Sequence, residues 1–450
     1  MSARLRRGAG PAYLFACLVL GGSGQGVWGP LLLQLCGLGL LVWAFWSDPP
    51  QPLGQSARQL GWIMAAAVLV ILVQLIPLPP AIWTALPGRS AVVGNFNLLR
   101  EPLPWMPVTL SPYESLAAAL ALIPPLAMLA AILRPGAFKP AWLALAIVAG
   151  ALLNILLGAL QISTGLYYLY LYSTVGSAAG FFANGNYLGT LLLASIPFLM
   201  AQTAHGLRER RSHRRRIGSV GLALAPLLVL VLGLLISKSM AALLLTVPVA
   251  LASSFLLVKA DKRRWRIVGL LAAGCALLAV LGYSQLPAFN DPNNALSAGI
   301  RRHLYGKSAE IAWALFPFGS GLGSFPRVYA LHEDAGVFFG ALVNHAHNDF
   351  LEIAMEGGLA GLLILAAFGW WWVRRLLAIW RSPASSPFER AATIASAAIL
   401  AHSLVDFPAR TMAVAAVLAA AVALMAEPRK WRRSEGSADD RRAARHVSLP

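Results

Sequence analysis

The chain is predicted to be an all-α polytopic membrane protein with about twelve transmembrane helices and a large periplasmic loop before the tenth. Three observations carry that expectation. Of its 450 residues 58% are hydrophobic and 12% charged, with a mean hydropathy of +0.67, too few charged side chains to cover a water-soluble globule of this length. Apolar runs of about 20 residues, each long enough to span a bilayer as helix, recur from end to end. The 36 Lys and Arg, against 18 Asp and Glu, fall in short clusters between those runs: Arg4 to Arg7, Arg208 to Arg216, Lys259 to Arg266, Arg374 to Arg381, and Arg429 to Arg433. A balance of +18 spread in this way is a positive-inside pattern, not one basic face, so no nucleic-acid partner is expected.

Treating each cluster as cytoplasmic and requiring an even number of spans between clusters puts the elements in order. Spans are expected near 10–26, 29–46, 60–77, 115–133, 141–162 and 180–203. The basic start followed by an apolar run lacks a small-residue cleavage site and is read as the first membrane helix. A first periplasmic loop, 77–116, follows the third span, its Pro-Leu-Pro-Pro, Leu-Pro-Gly-Arg and Ser-Pro elements breaking helices by clash and lost donors. Between Arg216 and Lys259 two helices fit around a turn at Ser237-Lys238-Ser239, which puts Lys238 on the periplasmic side. A span at 267–284 leads to the large periplasmic loop, 285–346. The next span returns to Arg374, and spans at 390–405 and 410–426 bring the chain back inside. Both termini are then cytoplasmic, residues 1–426 form a single transmembrane domain, and 427–450 is a disordered tail. No internal repeat of the kind that builds transporters is visible. Cys17, Cys36 and Cys275 are an odd number in apolar segments, which implies packing and no disulfide framework.

Polar residues are scarce, so where they gather is informative. The densest run, Asn344 to Gly361, leaves the large loop and enters a span. If it is helical from His347, residues 347, 351, 354, 358 and 361 share a face, and Ala354, Gly358 and Gly361 form a ridge that admits another helix. Asn348, Glu352 and Glu356 form a polar stripe beside it, and carboxylates in a membrane segment require a cavity or a partner. His402 and Asp406, four apart, are expected to hydrogen-bond each other and lock helix packing. His345, His347 and Asp349 alternate as on a strand with no fourth ligand evident, so no metal site is expected. Glycines 319, 321 and 323 follow no strand, which argues against a nucleotide fingerprint and for a tight loop near the membrane surface.

His347-Asn348, nine residues, Gly358, two residues, Gly361 resembles the motif at the end of the large periplasmic loop in the O-antigen ligase and polymerase superfamily. Phe182-Ala183-Asn184-Gly185-Asn186 is similar to that family's Asn-containing motif. Arg301/Arg302 with Phe316 to Phe325 is similar to its arginine and Gly-rich segment, and His402 to Pro408 to a late element. Where many relatives carry Ser-Arg, this chain has Ser237-Lys238, which keeps the charge and loses bidentate geometry. The resemblance implies transfer of a glycan from undecaprenyl diphosphate to an acceptor hydroxyl at the outer face of the bacterial inner membrane, without metal or other cofactor. It implies His347 as catalytic base, Arg301 or Arg302 and Lys238 against the diphosphate, and Asn348, Glu352, Asn186, Gly358 and Gly361 in support. Lys238 is open between anion binding and an interfacial anchor. The acceptor is a lipid A core, a second lipid-linked glycan or a protein hydroxyl. The elements Gln74 to Pro80 and Trp83 to Arg89 are more similar to exopolysaccharide-type members and favour polymerisation. The competing expectation from composition and helix count is a transporter or flippase, which predicts ionisable residues or broken helices near the membrane midplane.

Overall fold

The computed structural model describes residues 3–46, 53–133, 139–209, 213–257, 292–333 and 343–426. The chain is mostly helical, and its only strands among the described residues are two residues long. Helices cover Ala3–Leu20, Trp28–Trp46, Gln55–Gln74, Pro112–Ala121 continuing as Ile123–Leu133, Pro140–Thr164, Gly185–Glu209, His213–Ile236, Met240–Ser254, Asp349–Arg381, Pro387–His402 and Met412–Ala426. Six helical stretches among the described residues are long and apolar enough to cross a membrane. The expected span 267–284 and the tail 427–450 lie outside the described residues.

Gly185–Glu209 is the central helix. It carries no charged side chain before Arg208 and packs against Pro140–Thr164, His213–Ile236, Met240–Ser254 and Pro387–His402. Lipid supplies no hydrophobic drive between helices, so close packing rests on small residues. A Cβ on Gly189 would stand 2.7 Å from that of Ala242. The helix Met412–Ala426, mostly Ala and Val, is buried along its length against Ile123–Leu133, Pro387–His402 and Ala3–Leu20, which brings the two ends of the described chain together. The outer faces show the opposite pattern. Trp62, Leu69, Leu363 and Trp370 are exposed, an apolar surface that water would penalise and lipid would not.

Two of the connecting segments carry structure of their own among the described residues. Within 77–116, Pro77–Leu78 pairs antiparallel with Met106–Pro107, short helices form at Pro80–Trp83 and Ser90–Leu99, and the buried Trp83 indole donates to Pro104 O at 2.8 Å. Within 285–346, a helix over Pro292–Ala314 and another over Phe325–His332 share a small core of Leu304, Ile311, Leu315, Phe325, Val328 and Tyr329.

The helix Asp349–Arg381 departs from the expected ridge. Gly358 adopts φ 55° and ψ −143°, so two helical pieces meet at a kink there. The kink frees carbonyls that the glycine-rich loop then satisfies. Ser320 N donates to Met355 O at 3.1 Å and Gly321 N to Glu356 O at 2.9 Å, while Leu359 N donates to Pro317 O at 2.8 Å. Gln74, ending the third helix, joins both sides by donating to Glu356 O (3.1 Å) and accepting from Leu322 N (3.0 Å). A Cβ on Gly358 would lie 2.2 Å from Pro317 O, so this glycine admits a loop and not another helix. Gly361 likewise serves its own helix, since a Cβ there would meet Ile353 O at 2.9 Å.

Candidate functional site

The site is built where Asn344–Asp349 turns into the kinked helix. Asn348 is the N-cap, its side-chain oxygen accepting from Phe350 N (3.0 Å) and Leu351 N (3.1 Å), so the helix begins at Asp349. His347 therefore stands before the cap at φ 53° and does not share a helical face with Leu351 and Ala354. That left-handed backbone is held from two sides. The Tyr305 hydroxyl donates to His347 O at 2.9 Å, and Asp349 N donates to Ser403 O at 2.9 Å.

The His347 imidazole meets Asp406, with Nδ1 3.2 Å from Oδ1. The same oxygen accepts from Phe407 N at 3.0 Å, and the other accepts from the Asn186 amide. An ionised carboxylate only accepts, which assigns the His347 proton to Nδ1 and leaves Nε2 as the basic nitrogen. Burial works against the charge on Asp406, but the His347 hydrogen bond and the charges of His347, His402 and Arg301 outweigh it and hold this carboxyl below the usual carboxylate range. Asp406 is 1% exposed whereas the His347 side chain is 26% exposed, so the imidazole is reachable and the carboxylate it meets is not. The Phe407 ring fixes the imidazole laterally, with centroids 4.9 Å from His347 and 4.1 Å from His345.

Behind this pair lies a second polar cluster. Arg410 reaches Glu356 Oε2 with both terminal nitrogens at 3.1 Å, Glu352 Oε1 at 3.3 Å and Asp349 Oδ1 at 3.4 Å. Glu352 also bonds His345 Nδ1 at 2.8 Å and accepts from Ala346 N at 2.9 Å, and Glu356 accepts from Phe325 N at 2.9 Å. Burial alone would lower the guanidinium pKa, but the three carboxylates raise it above its ordinary value. The stripe of carboxylates thus has a partner and not a cavity, and the partner comes from the 3-10 turn Pro408–Arg410. The helix of the expected span 410–426 begins at Met412, just after that turn.

The other expected residues divide. Arg301 is half-buried on Pro292–Ala314, one turn before Tyr305, and its charge acts on Asp406; Arg302 is exposed. Lys238 is exposed at φ 54° in the Ser237-Lys238-Ser239 turn. The turn is pressed against the start of the helix bearing Asn186, where a Cβ on Gly185 would lie 2.4 Å from Ser237 O. Among the described residues the side-chain and backbone partners of His347 and Asp406 are Tyr305, Phe407, Asn186 and His402, and Lys238 is not one of them. The expected side-chain bond between His402 and Asp406 is replaced. His402 Nδ1 pairs with Thr190 Oγ1 at 2.7 Å, and Asp406 meets His402 through its backbone N–H, which donates to the His402 carbonyl at 3.0 Å. His345, His347 and Asp349 turn to three different partners, Glu352, Asp406 and Arg410. Asp406 as the partner of His347 and Arg410 as the counter-charge of the carboxylates are the two residues of the site that sequence reasoning missed. The available signal was an Asp and an Arg four residues apart, flanking Phe-Pro-Ala, in a segment otherwise devoid of charge.

Residues 225–366 match the O-antigen ligase family model. That stretch contains Lys238, Arg301, Arg302, the glycine-rich segment, His347, Gly358 and Gly361, and it supports the resemblance to the O-antigen ligase and polymerase superfamily. Asn186, Asp406 and Arg410 lie outside it. No curated protein matches the chain.

Proposed function

We propose that the chain is a lipid-linked glycan transferase of surface polysaccharide assembly, acting at the periplasmic face of the bacterial inner membrane, with undecaprenyl diphosphate-linked glycan as donor. The observation that carries this reading is the His347–Asp406 pair: a reachable imidazole whose Nδ1 is committed to a buried carboxylate, leaving Nε2 to take a proton. Orientation has its own support. The site gathers the start of Gly185–Glu209, the start of Asp349–Arg381 and the end of Pro387–His402, and the first two of these helices carry Arg208, Arg374, Arg375 and Arg381 at their far ends. By the positive-inside rule those far ends are cytoplasmic and the site is outside. Polar groups gathered at helix ends, not at a midplane, also favour an enzyme over a flippase.

In the proposed reaction the acceptor O–H gives its proton to His347 Nε2 while its oxygen bonds the anomeric carbon. The bond from that carbon to the diphosphate oxygen breaks, and the leaving diphosphate keeps the electron pair. A single in-line displacement of this kind inverts the anomeric centre. Arg301 offsets the growing charge on the leaving group, with Lys238 at the rim, and no metal or cofactor enters the scheme. The acceptor is a second lipid-linked glycan if the exopolysaccharide-like elements Gln74 to Pro80 and Trp83 to Arg89 are a guide; a lipid A core or a protein hydroxyl would use the same geometry.

The two adjacent arginines provide the test. In purified protein given undecaprenyl diphosphate-linked glycan, Arg301→Gln is expected to slow release of undecaprenyl diphosphate by about 10²–10³, the usual cost of removing one donor to a developing charge. Arg302→Gln, exposed in the structure, is expected to stay within a few-fold of wild type. Equal rates for Arg301→Gln and wild type would remove Arg301 from the scheme.

A further inference from the structure

The segment Gly165 to Gly176 joins the helices Pro140–Thr164 and Gly185–Glu209 and reads Gly-Leu-Tyr-Tyr-Leu-Tyr-Leu-Tyr-Ser-Thr-Val-Gly. Its side chains divide into two sets. Leu166, Leu169, Leu171, Tyr172 and Val175 face outward, with Leu171 at 85% and Tyr172 at 78% exposure. The hydroxyls of Tyr168 and Tyr170 turn inward, while Tyr167 and Thr174 stand exposed with the apolar set. The Tyr168 hydroxyl donates to Ser177 O (3.1 Å) and accepts from Gly176 N (2.9 Å), and the Tyr170 hydroxyl donates to Phe181 O at 3.2 Å. Gln161 ties the base of the loop, donating to Tyr167 O (3.1 Å) and Gly180 O (2.9 Å) and accepting from Ala179 N (3.0 Å) and Gly180 N (2.8 Å).

An aqueous loop is normally built the other way round, with polar groups outward. The contrast within this chain is direct: the segment 77–116 carries Arg89, Arg100, Glu101 and Glu114, and the helix Pro292–Ala314 carries Arg301, Arg302, Lys307 and Glu310, whereas no Asp, Glu, Lys or Arg occurs between Lys139 and Arg208. The outward apolar band also continues an existing one. Leu156, Leu160 and Ile162, on the last turns of the candidate span Pro140–Thr164, are exposed and lead into Leu166 and Leu169. Irregular backbone at membrane depth is tolerated where protein satisfies its polar groups, and tyrosines are favoured at headgroup level.

We propose that residues 165–176 are bedded in the lipid interface, with Leu169, Leu171 and Tyr172 in contact with phospholipid at the headgroup and upper acyl level. The loop leads directly into Ser177–Asn186, whose last residue holds Asp406. A hydrocarbon-linked donor would approach the site past this loop; that consequence rests on the transferase reading, whereas the lipid contact does not.

The test reads lipid contact without any activity. Full-length protein with Cys17, Cys36 and Cys275 replaced by Ser carries a nitroxide at Leu171→Cys, or at Glu310→Cys as a water-facing reference, in phosphatidylethanolamine/phosphatidylglycerol vesicles. The expected result is collision with oxygen several-fold above collision with a nickel chelate at 171, and the reverse order at 310. A label at 171 that meets the chelate as freely as the one at 310 overturns the proposal. So does spin–spin broadening between labelled copies, which would make a second chain the occupant. Leu169→Cys, labelled in the same way, repeats the reading should the first variant fail to fold.

Discussion

Replacing Asp406 with Asn is expected to slow glycan transfer by about 10²–10⁴ at unchanged membrane abundance, a loss of the size seen when a catalytic imidazole loses its base function or correct tautomer. In the wild type the carboxylate can only accept, and that alone fixes the proton on His347 Nδ1. An amide at 406 can turn its NH₂ toward Nδ1, which moves the ring proton to Nε2, the nitrogen the proposed reaction requires as acceptor. It also removes the negative charge that stabilises an imidazolium. The shape of the residue is kept, although with one oxygen the amide gives up part of the acceptance that Asp406 offers to Phe407 N and Asn186. Asp406 itself does not titrate near neutrality. Its folded pKa is depressed, so its contribution to stability is present above its unfolded value near pH 4 and is lost only as pH falls through the lower folded value. A change in rate between pH 5 and 8 would therefore come from another group. The measurement is single-turnover release of undecaprenyl diphosphate by the two proteins, and a rate for Asp406→Asn within a few-fold of wild type would dissolve the pair as a catalytic unit.

Arg410→Met should have the largest effect on stability. It leaves Glu352 and Glu356, both 0% exposed, and Asp349 without their common cation, and removing one side of a buried ion pair costs about 3–5 kcal/mol. The damage would reach the site, because Glu352 also holds His345 and the Ala346 amide, one residue before His347. Arg410→Lys keeps the charge but cannot reproduce the contacts of two terminal nitrogens with Glu356 Oε2 while also reaching Glu352 and Asp349, and an intermediate loss is expected. Thermal unfolding in detergent checks the order wild type, Lys, Met. A Met variant as stable as wild type would mean that these carboxylates do not depend on Arg410.

The membrane helices were legible because their signals are local. Apolar runs, basic clusters and turn residues such as Ser237-Lys238-Ser239 each act over a few residues, and among the described residues helices form near most of the expected spans. That a helix begins close to His347 was legible too, but not that His347 stands outside it. Asn348 is a favourable N-cap, and the cap moved the helix start to Asp349 and left His347 in a left-handed conformation. What escaped were pairings across long separations. Asp406 sits one helical turn beyond His402, which made a local bond the economical expectation; the fold instead turns its side chain to His347 and Asn186, 59 and 220 positions away. Gly358 and Gly361 have the spacing of a helix-packing ridge, and periodicity alone carries no sign that a glycine-rich loop occupies the contact first. The carboxylates at 352 and 356 did announce a cavity or a partner, but identifying the partner as Arg410 required the tertiary fold.

The central claim is that His347 is the base of a glycan transfer, and a strain lacking this gene tests it most directly. The strain is complemented with wild type or His347→Ala, with both proteins quantified in the membrane, and its surface glycan is profiled. The prediction is loss of long glycan with His347→Ala at normal abundance, accompanied by unligated lipid-linked polymer if the acceptor is a lipid A core, or by single lipid-linked repeats if the protein polymerises. Full-length glycan from the His347→Ala strain, alongside active wild-type complementation, would contradict the account.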